Sequence, residues 1–204
     1  MGISINSFDF LPLVSFLLFI ILIVGKTIIL KKEGVAVSSN TKKGGFVKYI
    51  IYPIFIFILV LFIFELINQM LETPYSILPK FITQNFFNSI FLEISGVLII
   101  TTSLIFLLLT LRNFNKSLRF GMNSENLGEL ITTGIFSISR NPFFGSINIY
   151  FIGIALICPS IFFITFAIIT VVSIHFFILQ EEKFLVENYG KEYKNYAKNV
   201  RRYF

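Results

Sequence analysis

Polar residues are sparse along this chain and fall in clusters, and the segments between the clusters are almost wholly apolar. Three such runs extend from about Phe8 to Leu30, Tyr52 to Leu71 and Phe86 to Leu111. Each is long enough to cross a hydrocarbon core of ~30 Å as a helix. The fourth run, Phe143 to Leu179, holds 37 residues. As one helix rising about 1.5 Å per residue it would measure ~55 Å, too long for a single crossing. Cys158-Pro159-Ser160 lies near its middle. A proline there removes a helical hydrogen bond and bars the preceding residue from helical geometry, so the pattern predicts a tight hairpin of two helices. The expected fold is an all-α integral membrane protein with about five transmembrane helices, the last two paired. On this scheme all six prolines fall in loops, at the hairpin turn, or near the first turn of a helix, where the missing N–H costs little.

Composition sharpens the picture. Of 204 residues 55% are apolar and 14% charged, and 27 are phenylalanine, whereas soluble domains carry about 25% charged residues. No room is left for a separate soluble catalytic domain, so any chemistry has to sit at the membrane face. The single cysteine, Cys158, excludes an intramolecular disulfide or a cysteine zinc cluster, and the single histidine, His175, excludes a multi-histidine site. No metal is expected. No Lys or Arg precedes Lys26, so the first run lacks the charged leader of a signal peptide and reads as a retained anchor.

The 17 Lys and Arg are distributed unevenly. Six lie at the first loop (Lys26, Lys31, Lys32, Lys42, Lys43, Lys48), four between the third and fourth spans and six in the C-terminal tail, against Lys80 alone on the other side. Sixteen against one predicts an outward N-terminus and a cytosolic tail. Topology and anionic lipid then account for the net charge of +6, with no need for nucleic acid as a partner.

The remaining polar residues fall into four groups. Glu65 and Glu93 lie within apolar runs, near the ends opposite the basic loops. Such carboxylates either reach the headgroups or mark a functional groove. His175 precedes the adjacent acids Glu181 and Glu182 at the end of the last span. Seven residues is nearly two turns, so a continuous helix sets His175 and Glu182 on one face about 10 Å apart. Adjacent acids point about 100° apart, so one of the pair is expected to face inward. Between the third and fourth spans, the segment Gly128 to Pro142 combines small turn residues, the cation Arg140, an N-cap candidate Asn141 and a helix-starting Pro142. A capped helix start there presents free N–H groups able to hold an anionic or polar ligand. In the tail, Phe184, Leu185, Tyr189, Tyr193, Tyr196, Ala197 and Val200 recur at three-to-four-residue spacing among lysines. That is a basic amphipathic pattern, suited either to lying in the headgroup plane or to covering a cavity, with Asn188 and Gly190 expected to break it into two helices.

Taken together, these residues resemble the isoprenylcysteine carboxyl methyltransferase and phospholipid methyltransferase superfamily of integral membrane enzymes. The family shows Gly-x-Tyr-x-x-x-Arg-His-Pro-x-Tyr-x-Gly, a helical hairpin, Glu-Glu, then Phe-Gly-x-Glu-Tyr-x-x-Tyr and a basic end. The corresponding residues are Gly134-Ile135-Phe136-Ser137-Ile138-Ser139-Arg140-Asn141-Pro142-Phe143-Phe144-Gly145, then Glu181-Glu182, then Tyr189-Gly190-Lys191-Glu192-Tyr193-Lys194-Asn195-Tyr196, with Arg201-Arg202 closing the tail. The resemblance covers about the last eighty residues. It divides the chain into residues 1–111, three spans with a basic loop, and a methyltransferase-like region, residues 112–204.

The resemblance implies S-adenosylmethionine as cofactor. Carried over by position, its contacts would be Gly128, Glu129, Leu130, Ile131, Gly134, Phe136, Asn141, Pro142, Phe143, Phe144, Glu181 and Glu182. Arg140, Glu182 and His175 are the candidates for catalytic roles, Arg140 by orienting an anionic group, the other two by assisting proton loss from an ammonium acceptor. The chain departs from the family pattern at Asn141, where the family has histidine, and at Phe136 and Phe144, where it has tyrosine. Phe177 stands where the prenylcysteine enzymes place an arginine for the substrate carboxylate. The implied activity is methyl transfer to a lipophilic acceptor, isoprenylcysteine carboxyl methyltransferase-like. The alternatives are a phospholipid or other small-lipid N-methyltransferase and a non-catalytic membrane protein that keeps the fold. A transporter is disfavoured, because the charges cluster at one face instead of near the midplane.

Overall fold

The computed structural model describes residues 8–34, 45–71, 73, 77–114 and 129–204. They form seven α-helices: α1 (Leu11–Lys32), α2 (Gly45–Leu71), α3 (Lys80–Thr83), α4 (Ile90–Asn113), α5 (Pro142–Ile157), α6 (Ile161–Tyr189) and α7 (Lys191–Asn199). A short 3-10 turn, Gly134–Ser137, precedes α5. No strand occurs among the described residues, and the protein is an all-α, multi-pass membrane protein. Helices α1, α2, α4 and α6 have the length and hydropathy for a crossing, while α5 is shorter at 16 residues. Their outward faces are lined with large apolar side chains such as Phe55, Phe57 and Phe91, the surface that lipid requires.

The helix ends follow the local chemistry. Pro12 occupies the first turn of α1, Lys31 and Lys32 its last, and Gly34 leaves the helix at φ 75°. The hairpin between α5 and α6 turns at Cys158 to Ser160, as Pro159 predicts, and Ser160 caps α6 by accepting a hydrogen bond from the Phe163 N–H at 3.4 Å. The Phe86 N–H donates to the Pro159 carbonyl at 2.9 Å, so the segment before α4 covers the turn.

Two expectations need correction. Helix α2 starts at Gly45, so Pro53 lies inside it instead of near its first turn; the helix continues past the apolar run, which Lys48 interrupts, and absorbs the lost hydrogen bond. Asn188 does not break the tail either. It lies inside α6 and donates to the Phe184 carbonyl at 2.7 Å, and the break falls at Gly190 alone, at φ 55°. Pro74 and Gly128 lie outside the described residues.

The interior has two kinds of packing. Around Phe62 an aromatic cluster joins α1, α2, α5 and α6: its ring centroid is 5.1 Å from Phe16, 5.5 Å from Phe151 and Phe163, and 4.5 Å from Phe166. Tyr150 stacks on Phe19 at 4.5 Å and shares a 3.0 Å hydrogen bond with Ser15. Helices α4 and α5 instead meet backbone to backbone. A Cβ on Gly96 would lie 2.8 Å from the Gly153 carbonyl, and one on Gly153 would lie 3.1 Å from the Gly96 carbonyl. Ser103 donates to the Ser146 carbonyl at 2.7 Å across the same seam. In lipid, where apolar burial gives little drive for association, such close approach and interhelical hydrogen bonding hold helices together. The seam fixes the start of α5, which carries the candidate site. On α2, Glu65 turns into the protein and is 1% exposed, so its carboxyl does not extend to the headgroups.

Candidate functional site

Glu182 is the centre of a charged cluster where the start of α5 meets the end of α6. Of the adjacent acids it is the one turned inward, 9% exposed, while Glu181 is half-buried. The Arg140 Nη2 lies 3.0 Å from Glu182 Oε1, and the Asn141 Nδ2 donates to the same oxygen at 3.2 Å. The Arg202 Nε and Nη2 donate to Oε2 at 3.0 and 2.9 Å. Two cations and an amide on one carboxylate make this the most concentrated polar group among the described residues, and charge-assisted bonds of this kind are the strong ones. The bond to Glu182 raises the Arg202 pKa by favouring the charged guanidinium.

The loop before α5 is held by the residues after α7. Ser139 pairs with Arg201 in an isolated parallel bridge, and the Arg140 N–H donates to the Arg201 carbonyl at 2.8 Å. Asn141 Nδ2 and Ser139 Oγ both donate to the Arg202 carbonyl, at 3.2 and 3.3 Å. Asn141 occupies the N-cap position of α5 as expected, but its side chain makes no capping bond. Its amide is committed to Glu182 and Arg202, partners that outcompete a cap because one is an anion.

Residues 201–204 then run as a strap along α6. Arg202 bonds Glu182, and the next residue, Tyr203, bonds His175: its hydroxyl lies 2.6 Å from Nδ1 and its ring stacks on the imidazole. Phe204 stacks on Phe106 of α4 at 4.5 Å and covers Gly145, where a Cβ would collide with its ring. His175 and Glu182 therefore do lie along one continuous helix, each engaged by a different strap residue.

Helix α7 closes the site from the other side. Its apolar face packs on protein, with Tyr193 2% and Tyr196 9% exposed. Tyr196 donates to the Phe136 carbonyl at 2.6 Å. Burial pushes its hydroxyl pKa up to about 12, Arg140 pulling it down and Glu182 raising it again. Arg140 Nη1 donates to the Ala197 carbonyl at 2.7 Å. Phe136 is buried with its ring against Phe114, and Gly134 sits at φ 62° with the Asn113 side chain where a Cβ would be.

The structure thus joins Arg140, Asn141 and Glu182; Glu181 adjoins Glu182 on α6, Pro142, Phe143 and Phe144 follow Asn141 on α5, and Gly134 and Phe136 lie in the 3-10 turn before it. Glu129 is exposed and Leu130 and Ile131 are half-buried, ahead of the 3-10 turn. Phe177 packs on Phe144 at 5.2 Å, so an aromatic ring stands where the prenylcysteine enzymes place an arginine. Sequence reasoning missed the strap partners Arg202, Tyr203 and Phe204.

Comparison with known proteins adds one finding. The phospholipid methyltransferase family model matches residues 90–192, a range that runs from the start of α4 through α5 and α6 into α7. No curated protein and no solved structure matches the chain.

Proposed function

The chain belongs to the phospholipid methyltransferase family, and on that premise we propose that this membrane methyltransferase uses S-adenosylmethionine to methylate a lipophilic acceptor at the face carrying the Glu182 cluster. The observation that carries the reading is that cluster: the matched region supplies Arg140, Asn141 and Glu182, and they converge in one place. The basic residues concentrated at the same end support a cytosolic location for it and for the C-terminus.

The residues suit such a cofactor. The Glu181 and Glu182 carboxylates match its ammonium and hydroxyl groups, and the rings of Phe136, Phe143 and Phe144 offer faces for adenine or a sulfonium. Arg140 keeps a buried Nε with no partner among the described residues, a polar valence open to a ligand. When bound, the cofactor supplies an electrophilic methyl group. The chain's task is to orient the reactants and exclude water: α7 and the strap cover the site, and the α4–α5 seam holds it rigid.

Of the possible acceptors we favour a lipid amine over a prenylcysteine carboxylate, because Phe177 puts an aromatic ring against Phe144 where a carboxylate would call for a cation. An ammonium must lose a proton before its lone pair can react. Glu181 and His175 are the titratable groups available to accept it.

Calorimetry on purified protein in detergent tests the cofactor. Wild type is expected to bind S-adenosylmethionine, and Glu181→Ala, which leaves the Glu182 bonds intact, to bind it more weakly; no binding by wild type refutes the proposal. Incubating a membrane extract with methyl-tritiated cofactor and resolving the products identifies the acceptor. Label in amine-headgroup phospholipid is expected, label in base-labile protein methyl ester overturns the acceptor assignment, and cofactor binding without labelled product favours a non-catalytic protein.

A further inference from the structure

Six buried side-chain polar atoms have no hydrogen-bond partner among the described residues, and three of them, Glu65 Oε1, Asn68 Nδ2 and Asn85 Oδ1, belong to one place far from the Glu182 cluster. Glu65, Asn68 and Gln69 stand three and four residues apart on α2 and share a face. Gln69 donates to the Thr83 carbonyl at 2.9 Å and accepts from the Asn85 amide at 3.2 Å. These bonds tie the end of α2 to the segment before α4, which in turn holds the turn between α5 and α6 through the bond from Phe86 to Pro159. The group therefore lies at the opposite end of α5 from Asn141, a helix length of about 24 Å away.

The bonds that are made fix what is left over. Because Gln69 gives its N–H to Thr83, its oxygen is the end that receives the Asn85 amide, and the Asn85 oxygen is left free. The Asn68 oxygen accepts from the Thr73 hydroxyl at 2.5 Å, which leaves its N–H groups. That amide is near enough to act on the Glu65 carboxyl, yet no bond of hydrogen-bonding geometry joins the two. Two acceptor oxygens and one donor remain. Glu65 is almost wholly buried and forms no ion pair among the described residues, and a carboxylate so placed in a membrane helix calls for a partner. Asp9 and Glu93 belong to the same end of the bundle, where Lys80 is the one cation among the described residues, so the local charge balance draws a cation.

A metal ion is poorly served, because two oxygens fill few of the positions a hard cation needs and the Asn68 N–H opposes it. A water molecule matches the hydrogen-bond count but leaves the Glu65 charge uncompensated. An ammonium supplies the charge and N–H donors for both oxygens, and an oxygen close by on the same ligand accepts from Asn68. We infer that Glu65, Asn68 and Asn85 form a binding site for a primary ammonium with a neighbouring oxygen, as in a 2-aminoethanol unit, at the end of the bundle opposite the Glu182 cluster. Such a unit comes either as a lipid headgroup or as a free amine. The site stands apart from methyl transfer and does not depend on the cofactor reading.

Calorimetry in a sugar detergent on wild type, Glu65→Gln and Asn85→Leu tests the site. The probes are dihexanoylphosphatidylethanolamine, dihexanoylphosphatidylcholine, whose quaternary nitrogen has no N–H, and free ethanolamine. Any amine held near Glu182 is untouched by these substitutions, so the site is read as the difference between the proteins. Both variants are expected to bind an amine probe about tenfold more weakly at this site, the effect of one hydrogen bond to a charged group, and phosphatidylcholine as wild type does. A difference seen with phosphatidylethanolamine alone assigns a lipid headgroup, and one seen with ethanolamine as well assigns the amine itself; either supports the site. No difference with either amine, or an equal effect on phosphatidylethanolamine and phosphatidylcholine, overturns the inference and leaves an ordered water as the partner of Glu65. Asn85→Leu, which keeps the carboxylate, carries the test should Glu65→Gln fail to fold. A wild type that binds no S-adenosylmethionine overturns the cofactor reading and leaves this result standing.

Discussion

Glu182→Ala removes the carboxylate on which three hydrogen bonds and the Arg140 ion pair converge, and its cost can be worked from what each partner does afterwards. The Arg140 side chain is 11% exposed and keeps only its bond to Ala197. Leaving one member of a buried pair uncompensated costs about 3–5 kcal/mol. The Arg202 side chain is 36% exposed and can turn to water, so its pair contributes at most about 1 kcal/mol after solvent screening. Asn141 retains the Arg202 carbonyl. The expected net loss is about 3 kcal/mol, most of it from Arg140. For a chain of this size that corresponds to a fall of ~6–12 °C in the unfolding midpoint. Cys158 provides the assay: it is the sole cysteine and 4% exposed, so a thiol-reactive maleimide dye reports unfolding in detergent without an added label. Arg202→Ala is expected to lower the midpoint by no more than ~4 °C, and Arg140→Met added to Glu182→Ala to recover part of the loss by removing the stranded cation. A Glu182→Ala midpoint within ~2 °C of wild type, or a larger loss from Arg202→Ala, would refute the reasoning.

Gly153→Val places a side chain into the Gly96 carbonyl and Ile100, and a loss of about 1–3 kcal/mol from overpacking should appear in the same dye assay. Gly145→Leu drives the Phe204 ring from its place against Phe106; faster proteolysis at the strap is expected, with Phe204→Ala showing the same pattern in wild-type background. Tyr196→Phe leaves the buried Phe136 carbonyl without its donor and is expected to cost about 1–2 kcal/mol near neutral pH. Since folding raises the Tyr196 pKa to about 12 from an unfolded value near 10, its hydroxyl stabilises the fold fully below pH 10 and progressively less between pH 10 and 12. Wild type should therefore lose its advantage over Tyr196→Phe across that window, and a constant difference there contradicts the assignment.

The spans and the hairpin were legible because lipid imposes a simple demand, long uncharged runs, and because Pro159 stands in the middle of a run too long for one crossing, where a turn is required. The inward choice of one acid at Glu181-Glu182 follows from helix geometry alone. What escaped is long-range or depends on competition. The apolar run begins at Tyr52, which sets Pro53 near a helix start, yet a helix end need not coincide with the edge of an apolar run. Asn141 had the sequence position of a cap, and only the arrival of Glu182 from 41 residues away draws its amide elsewhere. The strap carries no periodicity of its own: Arg201-Arg202 reads as a basic tail, and nothing local says that Tyr203 and Phe204 fold back onto His175 and Gly145. Tyr193 was visible as one member of an apolar stripe, which reveals a face without revealing what lies under it.

The length of α5 carries a consequence for how the protein meets its solvent. Sixteen residues span about 24 Å, against ~30 Å of hydrocarbon. A lone helix of that length would force the bilayer to thin around it. Here its far end turns under the segment before α4, through the bond from Phe86 to Pro159, and its near end lies beneath the strap and α7. Protein makes up the missing thickness at both ends, so the hydrophobic mismatch is absorbed within the fold.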